Sequence, residues 1–133
     1  KALGEMNDED FIDYLKKWNP KKNSDVGPSK EGLGREIQNV AKSLPERFNK
    51  LAESFKGLDP TYVRSALDGL VKAVEEGRLF EWDKVIDLCK WVVEQPRQIP
   101  GRKSAPGHLD FDPDWSWTRK QIARLFEVAF EKD

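Results

Sequence analysis

Start and stop signals for helices divide this chain into six segments, and each has apolar residues at helical spacing. The clearest start is Asp59-Pro60, where a capping side chain precedes a proline at the first helical position. Apolar residues follow along one wide stripe, and the segment stops at Gly77. No segment alternates apolar and polar residues between turn dipeptides, as a half-buried strand does. The sequence therefore predicts an all-α fold of about six helices.

The remaining boundaries rest on weaker local signals. Asn7 and Ser29 are the predicted N-caps of the first and second helices, and Ser43-Leu-Pro-Glu46 has the pattern of a capping box before the third. Short turns between the third, fourth and fifth helices predict antiparallel hairpins. We expect a single domain made of a first helix plus loop, core helical hairpins, a long loop and a final helix, at 1–28, 29–95, 96–111 and 112–133.

The apolar stripes also predict which helices are buried. The fifth helix, from about Glu81 to Gln95, has apolar residues around much of its circumference and is predicted to be the most buried. Trp82 and Val85 are expected between the fourth and fifth helices. Gly69 lies inside the fourth helix, where glycine is about 1 kcal/mol less favourable than alanine. A close approach of another helix would explain it.

Composition excludes several classes of protein. The chain has 23 Lys and Arg against 24 Asp and Glu, so its net charge of −1 disfavours a dedicated nucleic-acid binder. No apolar run approaches the roughly 20 residues that a membrane-spanning helix needs. The single cysteine, Cys89, rules out an internal disulfide and a multi-cysteine zinc site. We therefore expect a cytoplasmic protein without a cofactor, a metal or a membrane partner.

A set of mostly apolar and helix-start positions is spread over the stretch from Ser29 to Phe130, about three quarters of the chain: Glu31-Gly-Leu-Gly34, Phe48, Leu51-Ala52, Asp59-Pro60, Tyr62, Leu67, Gly69-Leu70, Phe80, Trp82-Asp83, Cys89, Trp91-Val-Val93, Asp112-Pro-Asp-Trp115 and Trp117. On these positions the stretch resembles a helical-repeat segment that recurs inside large bacterial proteins of unknown role. This resemblance implies a HEAT-like module of an α-solenoid, with no catalytic residues to carry over.

A solenoid segment has a testable property at its ends. The chain opens at Lys1, and we expect it to be a piece of a larger protein. Neighbouring repeats would then cover both end helices, and each would expose an apolar stripe in isolation. Such ends predict self-association of the fragment. The predicted stripes are Phe11, Ile12 and Leu15 in the first helix, and Phe126, Val128 and Phe130 in the last.

Catalytic constellations are weak in this sequence. Cys89 and the single histidine, His108, form a conceivable nucleophile pair, but Cys89 lies at an apolar helical position where burial makes a thiol inert. The acidic pair Glu75-Glu76 shows no reason for a raised pKa, and solvated helix faces explain it. Asp110, Asp112 and Asp114 alternate as in a calcium loop but lack its glycine and its distal glutamate. We therefore expect no enzyme.

Two sets of residues are candidates for an interaction surface. Trp117 follows Trp115 by two positions, so the two side chains cannot share a helix face, and Trp18 lies at a helix end. These tryptophans favour a non-catalytic module that binds a protein partner or neighbouring repeats. The alternative is a nucleic-acid-associated domain that binds phosphate through a basic loop and the last helix. Its residues are Arg97, Arg102, Lys103, Arg119, Lys120 and Arg124.

Overall fold

The computed structural model describes residues 3–17, 30–96 and 115–131, and these ranges contain six α-helices and no strand. The all-α prediction is confirmed. Two short 3-10 turns accompany the helices, at Leu3–Glu5 and Pro45–Arg47. The helices are α1 (Asp8–Lys17), α2 (Lys30–Ser43), α3 (Phe48–Ser54), α4 (Pro60–Glu75), α5 (Asp83–Glu94) and α6 (Ser116–Glu131).

Local chemistry sets several of the observed helix ends. The Asn7 side chain accepts a hydrogen bond from the Asp10 amide at 2.8 Å, and the Asp59 side chain accepts one from the Thr61 amide at 2.9 Å. Gly57 and Gly77 follow α3 and α4 with φ of 89° and 79°, a region that glycine enters without steric cost. The predicted signals at Asn7, Asp59 and Gly77 are confirmed.

The predicted capping box is wrong. Ser43 is the last residue of α2, so its backbone stays helical and does not adopt the extended conformation of an N-cap. Leu44 precedes the next turn instead, and its side chain makes no capping hydrogen bond. Pro45 begins a 3-10 turn that leads directly into α3. The predicted cap Ser29 and the start signal at Asp112 lie outside the described residues.

Helices α4 and α6 lie side by side and run in the same direction. Near their first residues, the Thr118 hydroxyl donates to the Pro60 carbonyl at 3.4 Å. Near the end of α4, Arg124 forms an ion pair with Glu75 at 3.3 Å. The two helices of a hairpin run in opposite directions. Two neighbouring helices that run in the same direction are therefore separated in sequence by one helix. Here α5 is the intervening helix.

Helix α2 lies on the other side of α4, also parallel to it. Lys42 at the end of α2 pairs with Glu76 just after α4, at 3.4 Å. Midway, the two backbones approach so closely that a Cβ atom at Gly69 would lie 2.6 Å from the Cβ atom of Ala41 and would clash with the Gln38 carbonyl. The close approach predicted from Gly69 is confirmed, and α2, α4 and α6 form one layer.

The other three helices form a second layer. Phe55, just after α3, packs against Phe11 of α1 with ring centroids 6.3 Å apart. On the opposite side of α3, the Asn49 side chain accepts a hydrogen bond from the Glu81 amide at 2.7 Å, immediately before α5. The chain therefore alternates between two layers. Each consecutive pair of helices contributes one helix to each layer.

Helix α4 is the most buried helix of the described chain, so the prediction that α5 holds this place is wrong. Twelve residues of α4 are buried against four of α5. The reason is position: α4 lies between α2 and α6, whereas α5 is at the edge of its layer. Val93 of α5 accordingly remains 55% exposed.

The two ends of the array also differ from expectation. Phe11, Ile12 and Leu15 of α1 are buried, so the predicted apolar stripe at the N-terminal end is wrong. They face α3 and the core rather than solvent. At the C-terminal end, Val128 is buried against the same expectation, but Phe130 is 75% exposed. The array is closed at one end and has exposed apolar surface at the other.

Candidate functional site

An open groove lined mostly by apolar side chains lies at the C-terminal end of the array in the described part of the chain. Its volume is about 600 Å³. The end of α4 and the turn after it form the floor and one side, and the start of α5 and the last turns of α6 form the walls. We call it the aromatic groove; it is lined by Val74, Gly77, Arg78, Leu79, Phe80, Trp82, Ile86, Phe126, Ala129 and Phe130.

Three aromatic rings build the inner wall of the aromatic groove. The Phe80 and Trp82 ring centroids are 4.7 Å apart, and Trp82 stacks on Phe126 at 6.3 Å with 24° between the ring planes. Trp82 is only partly buried, which corrects its predicted place between α4 and α5. The physical reason is that α5 begins at Asp83, so Trp82 precedes the helix and packs toward α6. Val85 is fully buried, as predicted.

Two large apolar side chains stand at the mouth of the aromatic groove. Leu79 is 88% exposed and Phe130 is 75% exposed. Single exposed apolar residues are common, but here both border the same apolar concavity. The sequence pattern does not identify Leu79 or Phe80 as interaction residues, because they lie in a turn between helical stripes. Two adjacent large apolar residues, one position removed from a helix-ending glycine, were the signal that could have identified them.

A second cavity, of about 390 Å³, lies between α1 and α3 at the opposite end. Charged side chains dominate its lining, including Asp8, Asp13, Lys16 and Lys50. The apolar residues beneath it, Ile12 and Leu51, are themselves buried. It therefore lacks an exposed apolar surface comparable with that of the aromatic groove.

The tryptophan pair on α6 divides as its spacing predicts. Trp115 is 6% exposed and meets Trp91 of α5 edge to face, with centroids 5.3 Å apart. Trp117 is 42% exposed, and the guanidinium of Arg64 lies 5.7 Å from its ring centroid. This cation–π contact fixes Trp117 against α4, away from the aromatic groove. Trp18, the other predicted surface tryptophan, lies outside the described residues.

The arginines of the predicted basic set make internal contacts on α6. One Arg119 nitrogen donates to the carbonyls of Val93 and Gln95, at 3.2 and 3.0 Å, and so ties the start of α6 to the end of α5. Arg124 pairs with Glu75 at 3.3 Å and with Glu127 at 3.2 Å. Lys120 is exposed. The other three members of the set, Arg97, Arg102 and Lys103, lie outside the described residues.

The side chains considered for catalysis do not assemble into a reactive group in the described residues. Cys89 is 3% exposed, and burial raises the pKa of its thiol to about 12, so the reactive thiolate is not populated at neutral pH. No group of three or more metal-ligating side chains occurs within 3–17, 30–96 and 115–131. The remaining candidates, His108, Asp110, Asp112 and Asp114, lie outside these ranges.

The acidic pair at the end of α4 is engaged by cations. Glu75 pairs with Arg124. Partial desolvation alone would raise the pKa of the Glu76 carboxyl, but hydrogen bonds from Arg78 and Lys42 outweigh it and lower the pKa. A general acid needs the opposite shift. The pair therefore fits an ion-pair network at the edge of the aromatic groove.

None of the helices in the described ranges has both the length and the apolar character needed to cross a membrane. Comparison of the chain with known protein families, with curated proteins and with solved structures finds no match.

Proposed function

We propose that this chain is a non-catalytic protein-interaction module, built as a HEAT-like segment of an α-solenoid, whose contact surface is the aromatic groove. The observation that carries the proposal is the exposure of Leu79 and Phe130, 88% and 75%, around a concave apolar surface. Such apolar surface, when contiguous and rimmed by polar residues, marks interaction sites on proteins. Aromatic side chains are the residues that most often dominate binding energy at interfaces.

The arrangement of the helices supports the solenoid part of the proposal. Stacked helix pairs place alternate helices parallel in two layers, and each pair contacts its neighbours. The parallel contacts of α4 with α2 and α6 have this pattern. The occupant of the aromatic groove is then a neighbouring repeat or a separate protein. The proposal includes a cytoplasmic location, which the single buried cysteine, Cys89, supports.

The contacts on α6 favour protein binding over nucleic-acid binding. Arg119 and Arg124 have their guanidinium groups engaged by carbonyls of α5 and by carboxylates, so binding phosphate would require breaking these contacts. Tight phosphate binding by a protein depends on several available cations. On α6, Lys120 alone of the predicted basic set keeps a solvent-exposed cation outside such contacts.

Site-specific photo-cross-linking in cells tests the proposal. A photoreactive phenylalanine analogue replaces Leu79 or Phe130 in the groove, and Val93, which is 55% exposed outside the groove lining, provides the matched control site. We expect a discrete cross-linked protein product from both groove sites and none from Val93. Equal products from all three sites, or no product from either groove site, would contradict an interaction surface at the aromatic groove.

A further inference from the structure

Resting on the proposed function, we propose that the aromatic groove binds an amphipathic helix whose apolar anchor residues are flanked by lysine or arginine. The apolar lining defines the anchors, and the charge on the rim of the groove defines what flanks them. These are separate observations.

The α5 wall of the groove has an acidic edge. Ile86 lines the groove, and Asp83 and Asp87 lie three residues before it and one after it on α5, so helix geometry places both residues on the solvent side of Ile86. They are four residues apart and therefore on one side of the helix. Both are exposed. Lys84, the nearest cation in sequence, is paired with Glu53 of α3 at 3.3 Å.

The α6 wall repeats this arrangement. Phe126 and Phe130 line the groove, and Glu127 and Glu131 follow them by one residue each, again four residues apart and exposed. Glu127 shares Arg124 with Glu75, so this cation is divided between two carboxylates. A pair of exposed carboxylates therefore lies next to groove-lining residues on each of α5 and α6.

The charged side chain that lines the groove in the described residues is a cation that is already engaged. Arg78 lines one end of the groove, but its guanidinium pairs with Glu76 at 3.3 Å. Lys90 is exposed one turn beyond Ile86 on α5, and the other exposed charges next to the lining residues of α5 and α6 are the four carboxylates. Electrostatic complementarity favours a partner of the opposite sign and disfavours one with the same charge.

This charge pattern argues against a second copy of the chain as the occupant. A twofold dimer through the groove would place the same surface on both sides of the interface. The acidic edges with Asp83, Asp87, Glu127 and Glu131 would then face each other, which is costly at an interface. A basic partner removes this cost and gains attraction at both edges.

An α-helix matches the shape of the aromatic groove. The groove lies between α5 and α6, which run antiparallel: Trp82 at the start of α5 stacks on Phe126 late in α6, and Arg119 early in α6 reaches the end of α5. An amphipathic helix lays residues spaced three and four positions apart into such a groove. Its remaining positions face the two acidic edges, where lysine and arginine fit.

Two synthetic peptides serve as probes. Each has about 18 residues, with leucine at the i, i+3, i+4 and i+7 anchor positions, and they differ in having either lysine or glutamate at the flanking positions. Calorimetric titration of the whole chain measures binding at low and at moderate ionic strength. We expect the lysine peptide to bind at least about tenfold more tightly than the glutamate peptide, with a preference that weakens as salt screens the charges.

Variants assign the binding to the groove. Asp83→Asn with Asp87→Asn is expected to weaken the lysine peptide about threefold to tenfold and to leave the glutamate peptide unweakened. The matched control, Asp10→Asn with Asp13→Asn on α1, changes the net charge equally at the other end of the array and should leave binding unchanged. Phe130→Ala should weaken the lysine peptide, whereas Val93→Ala should not.

The outcomes separate the two proposals. Equal binding of both peptides, or equal effects of the two double variants, overturns the basic partner while keeping the groove as an interaction surface. Binding of neither peptide also overturns the basic partner, and the cross-linking result then stands alone for the proposed function. Concentration-dependent dimerisation that Phe130→Ala abolishes would instead assign the groove to a second copy.

Discussion

Phe11 and Phe130 occupy opposite ends of the same helical array, yet Phe11 is fully buried and Phe130 is 75% exposed. At the N-terminal end, the 3-10 turn Leu3–Glu5 lies against α2, and the Leu3 amide donates to the Glu36 carboxylate at 3.4 Å. Arg47 closes this end further by donating to the Met6 carbonyl at 2.9 Å. The C-terminal end instead presents the aromatic groove.

The difference shows that an array of helix pairs needs a specific closing element to bury its last apolar surface. At the N-terminal end this element is short: a single turn with Leu3, which is 1% exposed, and one arginine. The apolar residues of α1 are then part of the core. The exposed residues at the C-terminal end are available for a partner, which is the basis of the proposed function.

The largest expected effect comes from the closed end. Phe11→Ala removes a fully buried ring that packs against Phe55, and we expect the free energy of unfolding to fall by about 3–5 kcal/mol. Chemical denaturation followed by circular dichroism measures this change. A loss below about 1 kcal/mol would mean that α1 is not part of the core, and the contrast between the ends would disappear.

A second effect concerns the close contact between α2 and α4, which lies between the two ends of the array. Gly69→Ala places a methyl group against the Gln38 carbonyl and the Ala41 side chain, so α2 and α4 must separate. We expect a net loss of about 1–3 kcal/mol, although alanine is the better helix former by about 1 kcal/mol. Thermal unfolding of this variant is compared with that of Gly77→Ala, whose loss arises from the positive φ of 79° and not from helix packing.

A combined measurement on both variants separates these causes. In Gly69→Ala, chemical shifts should change along both α2 and α4, because the two helices move apart. In Gly77→Ala they should change locally in the turn after α4. An unchanged or raised stability of Gly69→Ala would contradict the close contact between α2 and α4.

Two arginines that tie helices together are expected to have similar effects at the two ends. Arg47 donates to the Met6 carbonyl and to Asp8 near α1, and Arg119 donates to the carbonyls of Val93 and Gln95 at the end of α5. Hydrogen bonds from charged donors contribute about 1.5–3 kcal/mol, with partial exposure reducing this range. We expect Arg47→Met and Arg119→Met each to lower the free energy of unfolding by about 1–2 kcal/mol. A large loss of stability in one of the two variants only would mean that the two ends differ in these arginine contacts rather than in the burial of aromatic rings.

The smallest effect on stability is expected at the open end. Phe130→Ala removes a ring that is 75% exposed, so the free energy of unfolding should change by less than about 0.5 kcal/mol. Binding to a groove partner should nevertheless weaken. A stability loss near that of Phe11→Ala would show that Phe130 is buried in solution, by folding back into the groove or by self-association; sedimentation distinguishes these two cases.

The sequence predicts the existence of the helices and several of their ends, because local chemistry determines these features. Asp59 caps α4 with its own side chain, and Gly77 ends α4 with a positive φ. Ser43 shows the limit of such signals, since the capping-box pattern is present but Ser43 is the last residue of α2 and caps no helix. A local sequence pattern identifies positions where a helix is able to begin. Whether the helix begins there depends also on where the preceding helix ends.

The packing partners of the helices were harder to predict. An apolar stripe indicates that a helix face is buried but not which helix covers it, so the place of α4 between α2 and α6 was missed and α5 was wrongly ranked as the most buried. The aromatic groove was missed for the same reason. Its rings come from Phe80 in a turn, Trp82 before α5 and Phe126 in α6, which only the tertiary fold brings together.

The contrast between a closed and an open end is tested most directly by the access of solvent to individual aromatic rings. A neutral gadolinium chelate is added to the protein, and the relaxation of each assigned phenylalanine ring is measured by nuclear magnetic resonance. The account predicts strong enhancement at Phe130, weaker enhancement at Phe126, and none at Phe11, Phe48 and Phe55, whose side chains are fully buried. Enhancement at Phe11 equal to that at Phe130, or protection of Phe130 in the monomer, would contradict it.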